Sequence, residues 1–145
     1  MVDGPAATPT AALELALACD IKEVRSTADK IKAFLSAHGC SRAEIADCDL
    51  ALVEACNNAI EHASGSGQNE LVHIVTVCRR DEIELRITDH TSGFILPDSA
   101  KLPRAESETG RGLYLIQTLM SSVDYTRGTK ENTLTLVKKR SPVLA

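Results

Sequence analysis

This sequence has few aromatic side chains and no cysteine pair of the CxxC type. Its 145 residues include no Trp, two Tyr and two Phe, so Leu, Ile, Val and Ala must build the core. The five cysteines are odd in number and form no CxxC motif. The odd number argues against a disulfide framework. The missing CxxC motif, and the fact that no histidine lies at zinc-finger spacing, argue against a structural zinc site. We therefore expect free, buried thiols in a reducing compartment.

Basic patches and long apolar runs are also missing. With 20 acidic and 16 basic residues the formal net charge is -4, which argues against a broad nucleic-acid surface. The one basic cluster, Lys138-Lys139-Arg140, is interpreted as a solvated chain end. No apolar run approaches the ~20 residues of a membrane helix, and no secretion signal is visible. We expect no nucleic acid, no membrane association and a cytoplasmic location.

The first half of the chain predicts a strand followed by two helices. Leucines alternate from Leu13 to Leu17, and then apolar residues recur every three or four positions from Asp20 to about His38. This spacing predicts an amphipathic helix with Asp20 as its N-cap and Gly39 as its stop. Ser41 followed three residues later by Glu44 is a capping box that opens the second helix.

The second half predicts four strands and one helix. Strands are predicted at 71–77 and 83–88, a mobile loop at 94–109, a helix beginning just after Gly112, and a closing hairpin at 123–127 and 133–137. This order predicts an α+β fold, a two-layer sandwich in which three helices cover one face of a mixed, mostly antiparallel sheet of about five strands. We assign 11–140 to one domain, with tails at 1–10 and 141–145.

The second helix carries polar residues in a segment otherwise suited to burial. Glu54 and Asn58 are four residues apart and therefore lie on one face of the helix. Asn57 and Asn58 are consecutive in mid-helix, where asparagine costs stability. Either this face carries chemistry, or Glu54 and Asn58 form an exposed pair and Asn57 is solvated.

Two further segments contain residues that are suited to ligand binding. Asp89 ends an apolar strand and can accept a hydrogen bond from an exocyclic amine such as adenine N6; the alternative is an Asx turn. Gly110 and Gly112 stand before the third helix, where glycine lets backbone N–H groups approach an anion; the alternative is a tight turn without a ligand. The glycines match neither a GxGxxG fingerprint nor a P-loop.

In this order the three segments resemble the N, G1 and G2 boxes of the GHKL (Bergerat-fold) ATPases, and most of all those of the anti-sigma-factor serine/threonine kinases of bacterial partner-switching systems. Residues 54–63, EACNNAIEHA, resemble the kinase helix E-A-x-x-N-A-x-x-H-A, and residues 112–116, GLYLI, resemble its G-L-Y-L-I helix start. Residues 21–25, IKEVR, resemble the family's first-helix sequence pattern, whose last residue is a partner-contacting Arg. The resemblance runs from about Leu13 to Lys138 and implies that 11–140 form a histidine-kinase-like ATPase domain.

The resemblance implies ATP and Mg²⁺ as cofactors. It implies Glu54 as the catalytic general base, Asn58 as the Mg²⁺ ligand and Arg25 as a partner-binding residue. The implied nucleotide-binding residues are Asn58, Asp89, Gly93, Gly110, Arg111, Gly112, Leu113 and Thr133.

Three positions depart from the family pattern. Thr91 replaces the first glycine of D-x-G-x-G, and a β-branched residue is strained where glycine has positive φ, so we expect reduced ATP affinity. Asn132 precedes Thr133 where glycine is usual. Glu108 stands where some relatives carry an arginine, whose role Arg111 or Arg104 would have to take.

The resemblance implies a kinase that phosphorylates a serine of a small STAS-type anti-sigma-factor antagonist, binds a sigma factor and forms a homodimer. Two alternatives remain open. One, favoured by Thr91, is a non-catalytic, nucleotide-sensing protein that sequesters its partner. The other is a stand-alone ATPase.

Overall fold

The computed structural model describes residues 10–18, 20–62, 71–90, 108–128 and 131–141. These ranges contain five strands and three helices in the predicted order. Their bounds are β1 Ala11–Ala18, α1 Ile21–Ala37, α2 Arg42–His62, β2 Leu71–Cys78, β3 Glu82–Asp89, α3 Glu108–Leu119, β4 Ser122–Arg127 and β5 Asn132–Lys139. The predicted tails lie almost wholly outside the described residues, as does most of the predicted loop at 94–109.

The five strands form one sheet in the order β1-β2-β3-β5-β4. Each neighbouring pair is antiparallel, so the mostly antiparallel sheet predicted from the sequence contains no parallel pair among its described strands. The β3–β5 register places Asp89 opposite Asn132 and Thr88 opposite Thr133. Residues 43 and 45 positions apart in the chain are thereby brought side by side.

One face of the sheet is covered by the helices, as predicted. On β3, Ile83, Leu85 and Ile87 are buried, whereas Arg86 on the opposite face is exposed. Helix α2 contacts β3 and β5, α1 contacts β1, and α3 contacts β4. Each fully buried leucine or isoleucine contributes roughly 1.5–3 kcal/mol to stability, so this aliphatic layer holds the fold together without tryptophan.

The cysteines belong to the same core. Cys40, Cys48, Cys56 and Cys78 are all free and buried, as expected from the sequence. None of the helices in the described part of the chain is both long and apolar enough to cross a membrane.

Local signals set the turn between α1 and α2. Asp20 caps α1 by accepting a hydrogen bond from the Lys22 amide at 2.9 Å. Gly39 has φ +82, a left-handed conformation that glycine adopts without steric cost. The Ser41 amide donates to the Glu44 carboxylate at 2.8 Å and the Glu44 amide to Ser41 Oγ at 3.0 Å, so the predicted capping box is confirmed. This tight connection brings the start of α1 beside the end of α2.

The basic cluster at the end of β5 is not a solvated chain end, and that interpretation was wrong. The Lys138 ammonium lies 2.8 Å from the Asp47 carboxylate of α2. The Arg140 side chain is only 8% exposed, and its Nε lies 3.6 Å from Glu44 Oε1. Strand β5 pairs with β3 up to Lys139, whose ammonium lies 3.0 Å from Glu82 of β3. Lys138 and Lys139 are therefore part of the sheet, and the charges of Lys138 and Arg140 are paired with carboxylates of α2.

Helix α3 begins at Glu108 rather than just after Gly112, so the predicted start was wrong. Gly110 and Gly112 therefore have helical backbone. Glycine is compatible with helical as well as turn backbone angles. The backbone N–H groups in the first turn of a helix have no acceptor within the helix. Gly110 lies in this first turn, with Gly112 two residues further in.

Candidate functional site

A cleft lies between the first residue of α1 and the last turns of α2. It has a volume of about 420 Å³, which is within the range of small-ligand sites. The residues that line it are Ile21, Glu54, Asn57, Asn58, Ile60 and Glu61. Among the described residues, the walls therefore come from these two helices, and four of the six lining side chains are polar.

The Glu54–Asn58 pair lies on the wall of this cleft. Asn58 is only 5% exposed, so the alternative of an exposed surface pair does not apply to it. Ala55, Cys56 and Ala59 on the neighbouring helix face are buried in the core, which fixes the rotation of α2. Burial raises the pKa of the Cys56 thiol to about 12, so it stays protonated at neutral pH and is a poor nucleophile.

Two amide atoms in the cleft wall are buried without a hydrogen-bond partner in the described structure: Asn57 Oδ1 and Asn58 Nδ2. Buried polar atoms are nearly always paired, and leaving one unpaired costs about 1–3 kcal/mol. Amide oxygen and nitrogen are exchanged by a flip of the side chain, so Asn58 can present its oxygen instead. The wall therefore offers polar groups that a bound ligand would satisfy.

These groups fit a magnesium ion carried by a nucleotide. Mg²⁺ prefers oxygen ligands and keeps waters and phosphate oxygens around it, so one amide oxygen from the protein is sufficient. Within the described ranges, no three His, Cys, Asp or Glu side chains cluster as a dedicated metal site would require. The donor set thus suits an ion shared with a triphosphate.

Asn57 was missed as a site residue by sequence reasoning, which allowed that it is solvated. Its carboxamide oxygen is instead buried in the cleft wall. The signal that could have identified it was the succession of two asparagines in mid-helix, because such a costly pair calls for a compensating role.

A second polar group lies at the end of the sheet. Asp89, the last residue of β3, is 5% exposed, and Asn132, the first residue of β5, is 2% exposed. Asn132 Nδ2 donates to Asp89 Oδ1 at 3.1 Å. The hydroxyls of Thr88 and Thr133 lie 3.1 Å apart. The structure therefore places Asp89 beside Asn132 on the helix-covered face of the sheet and Thr133 beside Thr88 on the opposite face. Neither Asp89 nor Thr133 is among the residues that line the cleft.

The remaining predicted nucleotide-binding residues are only partly described. Gly110, Arg111, Gly112 and Leu113 are in the first turns of α3, which packs against α2. Gly93 and Thr91 lie outside the described residues. The expectation that Thr91 weakens ATP binding therefore stays a prediction.

Arg25 lies on the outer surface of α1. Its side chain is 58% exposed, and Nη1 lies 3.3 Å from Asp49 and 3.7 Å from Asp29. Ion pairs at such exposure contribute about 0–1 kcal/mol. Ile21, one turn earlier, is 62% exposed. A partner carboxylate could replace the internal partners of Arg25 at little cost.

An antiparallel five-stranded sheet covered on one face by three helices, with a Glu and an Asn one turn apart in a cleft, is the arrangement of a GHKL-type ATPase domain. The family model described as histidine kinase-like ATPase domain matches residues 17–138. The chain belongs to this family.

The chain is also similar to named bacterial kinases. Serine-protein kinase RsbW of Bacillus licheniformis is 33% identical over 94 residues, an alignment that covers 59% of each protein. Serine-protein kinase RsbW of Bacillus subtilis (strain 168) is 34% identical over 89 residues, which are 55% of this chain and 56% of that kinase. The chain thus spans less than two thirds of the curated relatives that it matches.

Solved structures confirm the predicted fold. The RsbU and RsbW domains of Rv1364c from Mycobacterium tuberculosis match with a TM-score of 0.69 and 20% identity, over 92% of this chain and 34% of that one. The SiaB–SiaC complex from Pseudomonas aeruginosa matches with a TM-score of 0.61 and 15% identity, over 88% of this chain and 89% of the matched chain.

Proposed function

We propose that this protein is an ATP-dependent serine/threonine protein kinase and anti-sigma factor of the partner-switching type. The observation that carries the proposal is the pairing of Glu54 and Asn58 in one cleft wall, where the Asn58 amide is buried and, within the described structure, lacks a partner for its nitrogen. The similarity to proteins named serine-protein kinase RsbW supports it.

Asn58 would hold Mg²⁺ through its side-chain oxygen. When bound, the ion would neutralise charge on the triphosphate of ATP. Asp89 would accept the adenine amine, and Thr133 on the adjacent strand would be a further nucleotide-binding residue. The further nucleotide-binding residues would be Gly93, Gly110, Arg111, Gly112 and Leu113.

Glu54 would act as the general base. It would accept the proton of a seryl hydroxyl on the substrate protein as that oxygen forms a bond to the γ-phosphorus of ATP. The bond between the γ-phosphorus and the β–γ bridging oxygen breaks, and ADP leaves with its electron pair. Phosphoryl transfer depends mainly on positioning and charge stabilisation, so one base and one metal ligand are sufficient.

The proposed partners are a small STAS-type anti-sigma-factor antagonist as the substrate and a sigma factor as the sequestered protein. We place the sigma-binding surface around Arg25, and we propose a homodimer in the cytoplasm. The exposed Ile21 beside Arg25 supports an interface here. Its side chain provides apolar contact area next to the Arg25 guanidinium, which is 58% exposed.

Transfer of labelled phosphate tests the kinase. The protein is incubated with Mg·ATP and a STAS-type antagonist protein, and phosphoserine is identified by mass spectrometry. Glu54→Gln should lower the transfer rate by at least about 100-fold, the range of a general base, while retaining ATP binding. Asp124→Asn is the matched control, because Asp124 is an exposed carboxylate on the edge strand β4. Full transfer by Glu54→Gln would remove Glu54 from this role.

Partner binding tests the surface around Arg25. Arg25→Ala should weaken binding of the sigma factor and lower the free energy of unfolding by at most about 1 kcal/mol, because the Arg25 side chain is 58% exposed and Asp49 keeps Lys32 at 4.0 Å. Arg42→Ala at the exposed start of α2 is the control. Equal sigma binding by both variants would contradict the assignment.

The second candidate is a non-catalytic, nucleotide-sensing protein, favoured by Thr91 in the motif after β3. Calorimetry with Mg·ATP and the transfer assay separate the two. Binding of ATP without transfer to any antagonist supports the second candidate. Absence of ATP binding at millimolar nucleotide contradicts both the kinase and the nucleotide sensor. Hydrolysis of ATP without a protein substrate would instead indicate a stand-alone ATPase.

A further inference from the structure

Two thiols lie in contact beside the start of α2, at the end of that helix opposite to the cleft. Cys40 lies just before α2 and Cys78 is the last residue of β2, and their Sγ atoms are 3.6 Å apart although 38 positions separate them in the chain. The two side chains therefore point toward each other, which is what a disulfide requires of a folded protein. Cys78 is 4% exposed, but Cys40 is 9% exposed, so a small oxidant can reach the pair.

A cation lies beside one of the two thiols. Arg140 Nη1 donates to Cys78 Sγ at 3.6 Å and to the Arg79 carbonyl at 2.8 Å. Arg140 Nε also lies 3.6 Å from the Glu44 carboxylate, so part of the guanidinium charge is already neutralised. A positive charge beside a thiol favours the thiolate, which is the nucleophilic form. Cys78 is therefore the member of the pair that is suited to attack an oxidant.

Cys40 is suited to the opposite role. Burial raises the pKa of Cys40 to about 12, and the hydrogen bond with Cys78 and the charge of Cys78 act in the same direction. Cys40 therefore keeps its proton at neutral pH and can donate a hydrogen bond to the Cys78 sulfur. Because the second thiol is already in contact, it can capture the first oxidation product of Cys78 as a disulfide.

We propose that Cys40 and Cys78 are a site of reversible oxidation, where hydrogen peroxide converts the two thiols into an intramolecular disulfide. The Cys78 sulfur bonds to one peroxide oxygen as the O–O bond breaks, which gives a sulfenic acid. The Cys40 sulfur then bonds to the Cys78 sulfur as the S–O bond breaks. Each hydroxide that leaves takes up one thiol proton and becomes water, so the peroxide accepts the two electrons that the thiols lose. This chemistry does not depend on the proposed kinase activity.

A pair of inert core thiols makes a different prediction. Cys48 is the internal reference, because it is 1% exposed and burial raises its pKa to about 12 as well. If Cys40 and Cys78 only filled the core, peroxide would oxidise all three slowly and would form no bond between them. At the proposed site, the free thiols of the pair should disappear at least about tenfold faster than that of Cys48, and one linked pair should form.

Peptide mapping under non-reducing conditions tests the proposal. The full chain is first reduced, then treated with hydrogen peroxide at neutral pH, and the remaining thiols are alkylated before digestion. Two peptides joined through Cys40 and Cys78 should appear, with a mass lower by two hydrogen atoms than their sum, and dithiothreitol should separate them. Cys48→Ala is the control and should form the same link. Cys40→Ser should instead leave Cys78 with one or more added oxygen atoms.

The wild-type chain decides the question even if the variants fail to fold. A link between Cys40 and Cys78 that forms in the native chain supports the proposal. A link that forms only after unfolding in urea would overturn it, as would loss of the Cys48 thiol at the same rate without any link, or links between chains in place of the internal one. Absence of phosphate transfer by the reduced protein would overturn the proposed function and leave this site unaffected.

Discussion

Glu44 ties the start of α2 to the end of β5, and its replacement by glutamine should strongly destabilise the protein. The carboxylate accepts backbone hydrogen bonds from Ser41 at 2.8 Å and from Ser141 at 2.7 Å, and it lies 3.6 Å from Arg140 Nε. The residue is 5% exposed. Glutamine keeps the shape of the side chain, but it loses the charge and turns an NH₂ group toward one of these donors.

The contacts set the magnitude of the effect. A hydrogen bond to a charged group contributes about 1.5–3 kcal/mol, and removing one partner of a buried ion pair costs about 3–5 kcal/mol. The amide oxygen of glutamine can keep one of the two backbone hydrogen bonds. We therefore expect Glu44→Gln to lower the free energy of unfolding by about 3 kcal/mol, out of about 5–15 kcal/mol for a typical domain.

Urea unfolding followed by far-UV circular dichroism measures this difference, because the chain has no tryptophan for fluorescence. Glu14→Gln makes the same chemical change at an exposed position of β1. This control should alter the free energy of unfolding by less than about 0.5 kcal/mol.

The difference should also depend on pH. Burial by itself raises the pKa of Glu44, but the hydrogen bonds from Ser41 and Ser141 and the charge of Arg140 outweigh it and hold this pKa below its ordinary value of 4.5. A lowered folded-state pKa stabilises the protein above the unfolded-state pKa, and that stability is lost as the pH falls through the folded-state pKa. The gap between wild type and Glu44→Gln should therefore narrow below about pH 4.5. Equal unfolding midpoints at pH 7 would refute the reasoning.

Three further predictions follow from burial. Thr76 is 0% exposed, and its hydroxyl has no hydrogen-bond partner in the described structure, so Thr76→Val should raise the free energy of unfolding by about 1 kcal/mol; a loss measured by urea unfolding would contradict this. Burial raises the pKa of Cys40 and Cys48 to about 12, so a disulfide reagent at pH 8 should modify both at least about tenfold more slowly in the native chain than in urea, and equal rates would contradict it. Asn58→Leu should abolish Mg²⁺-dependent ATP binding in calorimetry without lowering the urea midpoint, because the buried amide nitrogen lacks a partner in the described structure; retained binding would exclude Asn58 as the metal ligand.

Most helix ends and the order of helices and strands along the chain could be predicted from the sequence because their signals are local. The capping box of Ser41 and Glu44, the cap at Asp20 and the left-handed Gly39 each act within a few residues. The start of α3 was the exception, since glycine is compatible with both a turn and a helix.

The ends of the sheet could not be predicted in the same way. The basic cluster after β5 has the composition of a solvated tail, but Ser141 hydrogen-bonds to Glu44 from 97 residues away. Such a contact exists only once β5 has paired with β3 and α2 has packed on the sheet, so no local pattern reports it.

The same division holds for the candidate site. The sequence by itself determined that Glu54 and Asn58 lie one turn apart on one helix face, because helical periodicity depends only on spacing. Tertiary structure alone decided that the Asn58 amide is buried in a cleft wall and that Asn132 engages Asp89. Burial and cross-strand contacts are made by residues distant in the chain, and they arise only when the helices and strands pack together.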